Sequence, residues 1–132
     1  LEFQSKNLPC DLDAVLFRIR LAGYRPLFAH PERYADFARD LNAIERLVTN
    51  GALLQLDVAS LAGAYGAAQE GRAWKLLDRG LYHVAASDLH NAEGIDAVVA
   101  GIKRLQKSVG AKAAEALLAV NPRRIVAGEE IL

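Results

Sequence analysis

The sequence predicts an α/β fold, part of a β/α barrel of TIM-like type with about four parallel strands, and three observations carry that reading. A helical apolar pattern ending at a glycine and followed by a short apolar run recurs three times. Those runs are apolar on both faces, as parallel strands are when crossover helices cover both sides of their sheet. Each run closes on a polar residue, and in such barrels functional groups sit where strands end and the βα loops begin.

Leu1-Glu2-Phe3 reads as a strand-like opening segment. In the first unit Leu12, Val15, Leu16 and Ile19 repeat at i, i+3, i+4 and i+7, Gly23 provides the left-handed stop, and Pro26 to Ala29 runs into His30. The second has Leu41, Ile44, Leu47 and Val48 on one face, ends at Asn50-Gly51, and sends Ala52 to Leu56 into Asp57. The third has Ala73, Trp74, Leu76 and Leu77 before Gly80, with Leu81 to Ala86 running into Ser87-Asp88. A helix with Ile95, Val98, Val99, Ile102 and Leu105 on one face follows, then Gly110, a short Ala-rich helix, and Asn121-Pro122 opening a final turn. Glu2, His30, Asp57 and Asp88/His90 are therefore expected at one rim.

A closed barrel of this type needs about eight strands, and the chain contains no methionine and opens at Leu1. Residues 1–132 are accordingly expected to be a single-domain fragment, the C-terminal part of a barrel. An edge at Leu1 to Phe3 points to self-association, because unpaired strand edges recruit other chains.

Composition narrows the function classes. With 52% hydrophobic and 24% charged residues, the chain is too apolar for disorder. Sixteen Lys+Arg balance sixteen Asp+Glu, which removes the basic footprint expected of a nucleic-acid or anionic-membrane binder. No apolar stretch approaches the roughly 20 residues that span a bilayer. A single cysteine, Cys10, cannot close an internal disulfide, which suits a reducing cytoplasmic setting. Asp11 and Asp13 beside it disfavour a thiolate, so a cysteine-type phosphatase mechanism has no support. Ser60 lacks a Gly-x-Ser-x-Gly elbow and does not read as a nucleophile.

The chemistry concentrates in Ser87-Asp88-Leu89-His90-Asn91 and Ala29-His30-Pro31-Glu32-Arg33. Residues two apart on an extended chain share a side, so Asp88 and His90 are placed to ligate one cation. Mixed imidazole and carboxylate ligands suit Mn²⁺, Fe²⁺ or Zn²⁺, with Glu2 as a bridging carboxylate. Asp88 reads equally as the cap of the following helix, and Asp57 as a ligand or, in preference, as a cap or a partner orienting a histidine. Arg33 offers a planar fork for two phosphate oxygens, or pairs at the surface with Asp36 or Glu32. His83, inside a strand, reads as structural.

Four motifs stand in order, Gly23 to Tyr34, Leu54 to Leu61 with Gly63, Tyr65 and Gly66, Ala86 to Asn91, and Asn121 to Ile125, and the likeness they make specific extends over essentially the whole chain. Together they resemble the C-terminal half of the bacterial CpsB/YwqE-type tyrosine-protein phosphatases of the PHP superfamily. The resemblance implies a distorted β/α barrel with a metal cluster, usually manganese, with Fe, Mg or Zn as alternatives. Its implied substrates are phosphotyrosine proteins, in particular the bacterial tyrosine autokinases that control capsule or exopolysaccharide synthesis. It assigns Glu2, His30, Asp88 and His90 as metal ligands and Arg33 as the catalytic residue that holds the substrate phosphate. The family's opening His-x-His motif, an aspartate and a further histidine would lie upstream of Leu1. Ala92-Glu93-Gly94 stands where a second phosphate-binding arginine is common, with Lys103 and Arg104 the nearest basic residues, and Asp57 replaces a frequent asparagine. A PHP phosphoesterase acting on a small phosphate ester and a non-catalytic PHP-like partner-binding module are the alternative functions.

Overall fold

Helix α1 (Leu12–Leu21) turns Leu16 into the core, and the chain reverses at Gly23 into strand β1 (Leu27–Ala29). The computed structural model describes residues 1–3 and 8–131. A 3-10 turn, Pro31–Arg33, leads to α2 (Ala35–Arg39) and α3 (Leu41–Thr49), the latter capped by the Asp40 carboxylate accepting from the Asn42 N–H. Strand β2 (Leu53–Asp57) runs into a 3-10 segment, Val58–Ala62, then α4 (Ala67–Asp78) and β3 (Val84–Ala86). After a turn at Ala92–Gly94 come α5 (Ile95–Val109), α6 (Ala111–Glu115), a π-helical turn (Ala116–Val120) and α7 (Asn121–Ala127).

The three strands form a parallel sheet in the order β1-β2-β3, with Phe28 opposite Leu54 and Leu56 opposite Ala85. Phe28, Leu54 and Leu56 are fully buried, as two-sided cover by helices requires. The α/β class and the helix, glycine, strand rhythm hold.

Among the described residues the sheet has three strands, not four. The Leu1 carbonyl accepts from the Ala29 N–H at 3.0 Å and its amino group donates to the Leu27 carbonyl, on the edge of β1 away from β2. The backbone then leaves the ladder, because the Phe3 N–H donates to the Tyr34 hydroxyl at 2.9 Å. Residues 1–3 therefore carry no strand among the described residues.

The apolar face of α5 is also turned from its expected position. Val98, Gly101 and Leu105 are buried, whereas Ile95 and Val99 are 47% and 45% exposed. The cause is close approach: the backbone at Gly101 lies against the Val58 carbonyl, so the contact centres on the glycine rather than on the branched residues. The final turn expected at Asn121-Pro122 is instead a helix continuous with the Ala-rich segment. Pro122 has no N–H to give to this continuous helix, and the π-helical turn Ala116–Val120 lies directly before it, where that hydrogen bond is missing. The Asn121 amide donates to the His83 carbonyl at 2.8 Å, tying this helical cap to the sheet.

His83 sits one residue before β3, and its Nδ1 accepts the Leu54 N–H at 3.1 Å. The structural reading of this histidine therefore holds. Burial, reinforced by the Arg25 charge, lowers its pKa from 6.5. A group whose folded pKa is depressed adds stability that is full above its unfolded pKa and is lost as pH falls below it. Stability is thus expected to decline below about pH 6.5, and His83→Asn should flatten this decline in urea titrations across pH 5 to 7.5. An unchanged pH slope in the variant would refute the role.

Candidate active site

His30 ends β1 and Asp88 follows β3, and these are the two non-glycine residues with positive φ among the described residues, at 37° and 47°. Left-handed backbone costs an L-residue roughly 1 kcal/mol or more and persists where surrounding contacts impose it, often at functional sites. Here the two strained residues face one another. His30 Nε2 lies 3.1 Å from Glu2 Oε1 and 3.7 Å from Asp88 Oδ2.

Tyr34 is the residue that delivers Glu2. Its ring stacks on His30 with centroids 6.0 Å apart, and its hydroxyl holds the Phe3 backbone, which fixes the neighbouring carboxylate against the imidazole. Arg33 leaves the same 3-10 turn and donates from Nη1 to Asp88 Oδ2 at 2.8 Å. Its surface pairing with Asp36 or Glu32 is not what forms. Asp57 Oδ2 is 3.8 Å from the same nitrogen, and the Arg33 guanidinium carbon sits 4.4 Å from the centre of the Tyr65 ring.

Asp57 caps the Val58–Ala62 segment, Oδ1 accepting from the Ala59 N–H at 2.9 Å. Its other oxygen faces Arg33, not a histidine. That oxygen and His30 Nδ1 are buried and make no well-formed hydrogen bond among the described residues. Burial pushes the Asp57 carboxyl upward, opposed by the nearby Tyr65 hydroxyl and the Ala59 N–H. Burial first, then Asp57, pushes the Tyr65 hydroxyl upward as well.

His90 is exposed and stands apart from the other three. Its Nδ1 is 2.7 Å from the Asp88 carbonyl. A carbonyl only accepts, so Nδ1 carries the proton and the Nε2 lone pair remains for a ligand. Asp88 does not cap the next helix; Asn91 occupies the cap position without a side-chain bond. Arg104 donates to the Leu61 carbonyl and to Glu70, each at 2.8 Å, so it braces α5 and is not a substitute phosphate ligand.

Beneath the rim lies Glu32, fully buried, which sequence reasoning treated only as a surface partner. Oε1 accepts from the Asp57 N–H at 3.1 Å and the Ser60 hydroxyl at 2.9 Å, while Oε2 accepts from the Tyr82 hydroxyl at 2.8 Å. Burial pushes its pKa up to about 7 against these hydrogen bonds. Ser60 is thereby a structural donor. The adjacency of Glu32 to His30-Pro31 was the available signal, since a carboxylate inside a strand-end motif has the sheet within reach.

The donor types suit a divalent cation of the Mn²⁺, Fe²⁺ or Zn²⁺ kind: one imidazole between two carboxylates, with Asp57 adding negative charge against a single guanidinium. Among the described residues, no three His, Cys, Asp or Glu side chains are gathered closely enough to enclose a cation by themselves. The set fits a share of a ligand shell.

The family model for capsular polysaccharide synthesis proteins, CpsB/CapC, matches residues 1–127. The chain belongs to this family. It is 32% identical to the tyrosine-protein phosphatase YwqE of Bacillus subtilis (strain 168), over 70% of this chain and 37% of the relative. It is 28% identical to the tyrosine-protein phosphatase CpsB of Streptococcus pneumoniae, over 96% of this chain and 54% of the relative. Among solved structures it matches one from the crystallographic set of YwqE from Bacillus subtilis and CpsB from Streptococcus pneumoniae, metal-dependent tyrosine phosphatases. That match has a TM-score of 0.86 at 26% identity, over 97% of this chain and 52% of the other. The chain thus spans between about a third and a half of these relatives' lengths. No helix among the described residues of this CpsB/CapC chain is long and apolar enough to cross a membrane.

Proposed function

We propose that this CpsB/CapC chain carries part of the active site of a metal-dependent phosphoesterase that hydrolyses protein phosphotyrosine, with a bacterial tyrosine autokinase of capsule or exopolysaccharide synthesis as its substrate. The observation that carries the reading is His30 Nε2 set between the Glu2 and Asp88 carboxylates, with Arg33 bonded to the second of them. Glu2, His30, Asp88 and His90 are the proposed metal ligands, with manganese the preferred ion and the remaining ligands supplied from beyond this chain.

A divalent cation held there supplies Lewis acidity, lowering the pKa of water and neutralising phosphate charge. The residues of this chain do the rest. Stacking on Tyr34 and burial at the end of β1 hold the His30 ring with Nε2 toward Glu2 and Asp88, and the Asp88 carbonyl holds His90 in the tautomer whose Nε2 can ligate. Arg33 presents a planar fork to the phosphate oxygens and stabilises charge that grows on them. No nucleophilic side chain takes part, consistent with the acidic neighbours of Cys10 and the hydrogen-bonded Ser60.

Calorimetric titration of the chain with Mn²⁺ tests the ligand assignment. Binding is expected to weaken at least tenfold in His30→Ala and to survive in Arg33→Ala; equal affinity for Mn²⁺ in His30→Ala and the parent would sink it. In the protein at the length of its relatives, Arg33→Lys should lower kcat on a phosphotyrosine peptide by roughly 100-fold, because an ammonium cannot reproduce the two-pronged contact. Loss confined to KM would instead assign Arg33 to binding alone.

A further inference from the structure

A groove of about 430 Å³ opens beside Arg33, between the Ala64-Tyr65 turn, the β3–α5 loop and the first turns of α5. Arg33, Ser87, Asp88, His90, Asn91 and Glu93 line it together with apolar residues that include Tyr65, Leu89, Ala97 and Val98. Two large side chains stand exposed at this groove, Tyr65 at 36% and Leu89 at 41%. Gly94 makes room for Leu89: a Cβ there would lie 2.8 Å from Leu89 Cδ1. Gly63, in left-handed backbone at φ 78°, turns the chain so that Tyr65 comes back over Arg33.

Arg33 is held on two sides, by the Tyr65 ring against its face at 4.4 Å and by Asp88 at 2.8 Å. Among the described residues Asp88 is its one hydrogen-bonding side-chain partner, which leaves other guanidinium N–H groups for a ligand. A free arginine side chain samples many rotamers, and stacking on an aromatic face restricts it at little cost. The groove therefore sets an arginine beside an apolar wall of Tyr65, Leu89, Ala97 and Val98 within an otherwise polar lining, the pattern of a site for an amphipathic small ligand.

We propose that this groove takes the aryl ring of a phosphate monoester whose phosphate is held at Arg33. Tyr65 is the positioning residue for the guanidinium, and Leu89 is the apolar wall that selects aryl over alkyl esters. This rests on the phosphatase reading above and deepens it: the phosphate contact alone does not distinguish tyrosine from serine esters, whereas an apolar wall next to it does. Burial of an aromatic ring against apolar walls carries tenfold or greater discrimination.

The test is NMR titration of the chain, in Mg²⁺ as a diamagnetic cation, with phenyl phosphate, β-glycerophosphate and inorganic phosphate as probes. The Arg33 Nε–Hε signal and the Leu89 methyl groups are the reporters. Phenyl phosphate is expected to shift both, the methyls upfield by ring current, and to bind at least fivefold more tightly than the other two, which should shift Arg33 alone. Tyr65→Ala should abolish that preference and broaden the Arg33 signal, whereas Tyr65→Phe should preserve both; Leu89→Ala should abolish the preference without broadening Arg33. Equal affinity for all three probes with unmoved Leu89 methyls overturns the aryl groove and leaves Arg33 as a phosphate ligand. An Arg33 signal that no probe moves overturns the phosphate reading and the groove with it.

Discussion

Gly101→Ala is expected to destabilise the fold by roughly 2 to 3 kcal/mol, although alanine is the better helix former. An added Cβ would lie 1.9 Å from the Val58 carbonyl oxygen, 2.6 Å from its carbon and 3.3 Å from the Ala59 nitrogen. All three are backbone atoms, and Val58 and Ala59 are buried in the segment that follows β2. Neither side can yield locally, so α5 must move away and open the packing of Val98 and Leu105 on either side of the contact. Helix propensity recovers about 1 kcal/mol at most, which the clash exceeds. Gly71→Ala in α4 is the matched control, since nothing lies within 4 Å of its Cβ position. That variant should gain about 0.5 to 1 kcal/mol. Urea denaturation of both variants checks the pair, and the same sign of effect at both glycines would remove the close-approach argument.

The second large effect is expected at Glu32. Replacing it by alanine should cost about 3 to 5 kcal/mol, because it deletes the acceptor of three buried donors and opens a cavity the size of its side chain. Those donors, the Asp57 N–H, the Ser60 hydroxyl and the Tyr82 hydroxyl, come from the end of β2, the segment after it and the approach to β3. The Glu32 carbonyl in turn accepts from Arg72 Nε on α4 at 2.7 Å. The carboxylate is therefore the point at which the strand ends are tied below the rim, and its loss should also shift Asp57 and Arg33. Glu32→Gln keeps one acceptor oxygen and should fall between the two, while Tyr82→Phe should cost about 1 kcal/mol. Thermal and urea unfolding of the three variants give the ranking. A Glu32→Ala protein within 1 kcal/mol of the parent would mean that the three donors find other partners.

The buried ends of the strands were legible because their signals are local. The 3.6-residue apolar spacing of Leu12 to Ile19 and of Leu41 to Val48, with glycine or Asn-Gly behind each, located α1 and α3 from the residues alone. The three parallel strands followed from runs apolar on both faces, since only a covered sheet tolerates them. His30, Asp88 and Glu2 were placed near one another by the rule that functional groups stand at strand ends, and the structure sets them within 3.7 Å of one imidazole nitrogen. The same rule could not say that His90 would lie apart or that Asp88 would bind Arg33, because loop geometry beyond a strand end has no period to read.

What sequence by itself determined, then, is the α/β class, the order of helices and strands, the family and the candidate ligand types, because each rests on spacing along the chain or on the chemistry of a residue. Tertiary structure alone decided which partners those residues have. The chain leaves the edge of β1 after Leu1 because the Tyr34 hydroxyl, 31 positions from Phe3, takes the Phe3 N–H. Glu32 serves the interior because the 3-10 turn folds it under β2 toward Ser60 and Tyr82, and Tyr65 reaches Arg33 because Gly63 reverses the chain. Such contacts join distant segments, and their geometry is set by how elements pack rather than by any pattern within one of them.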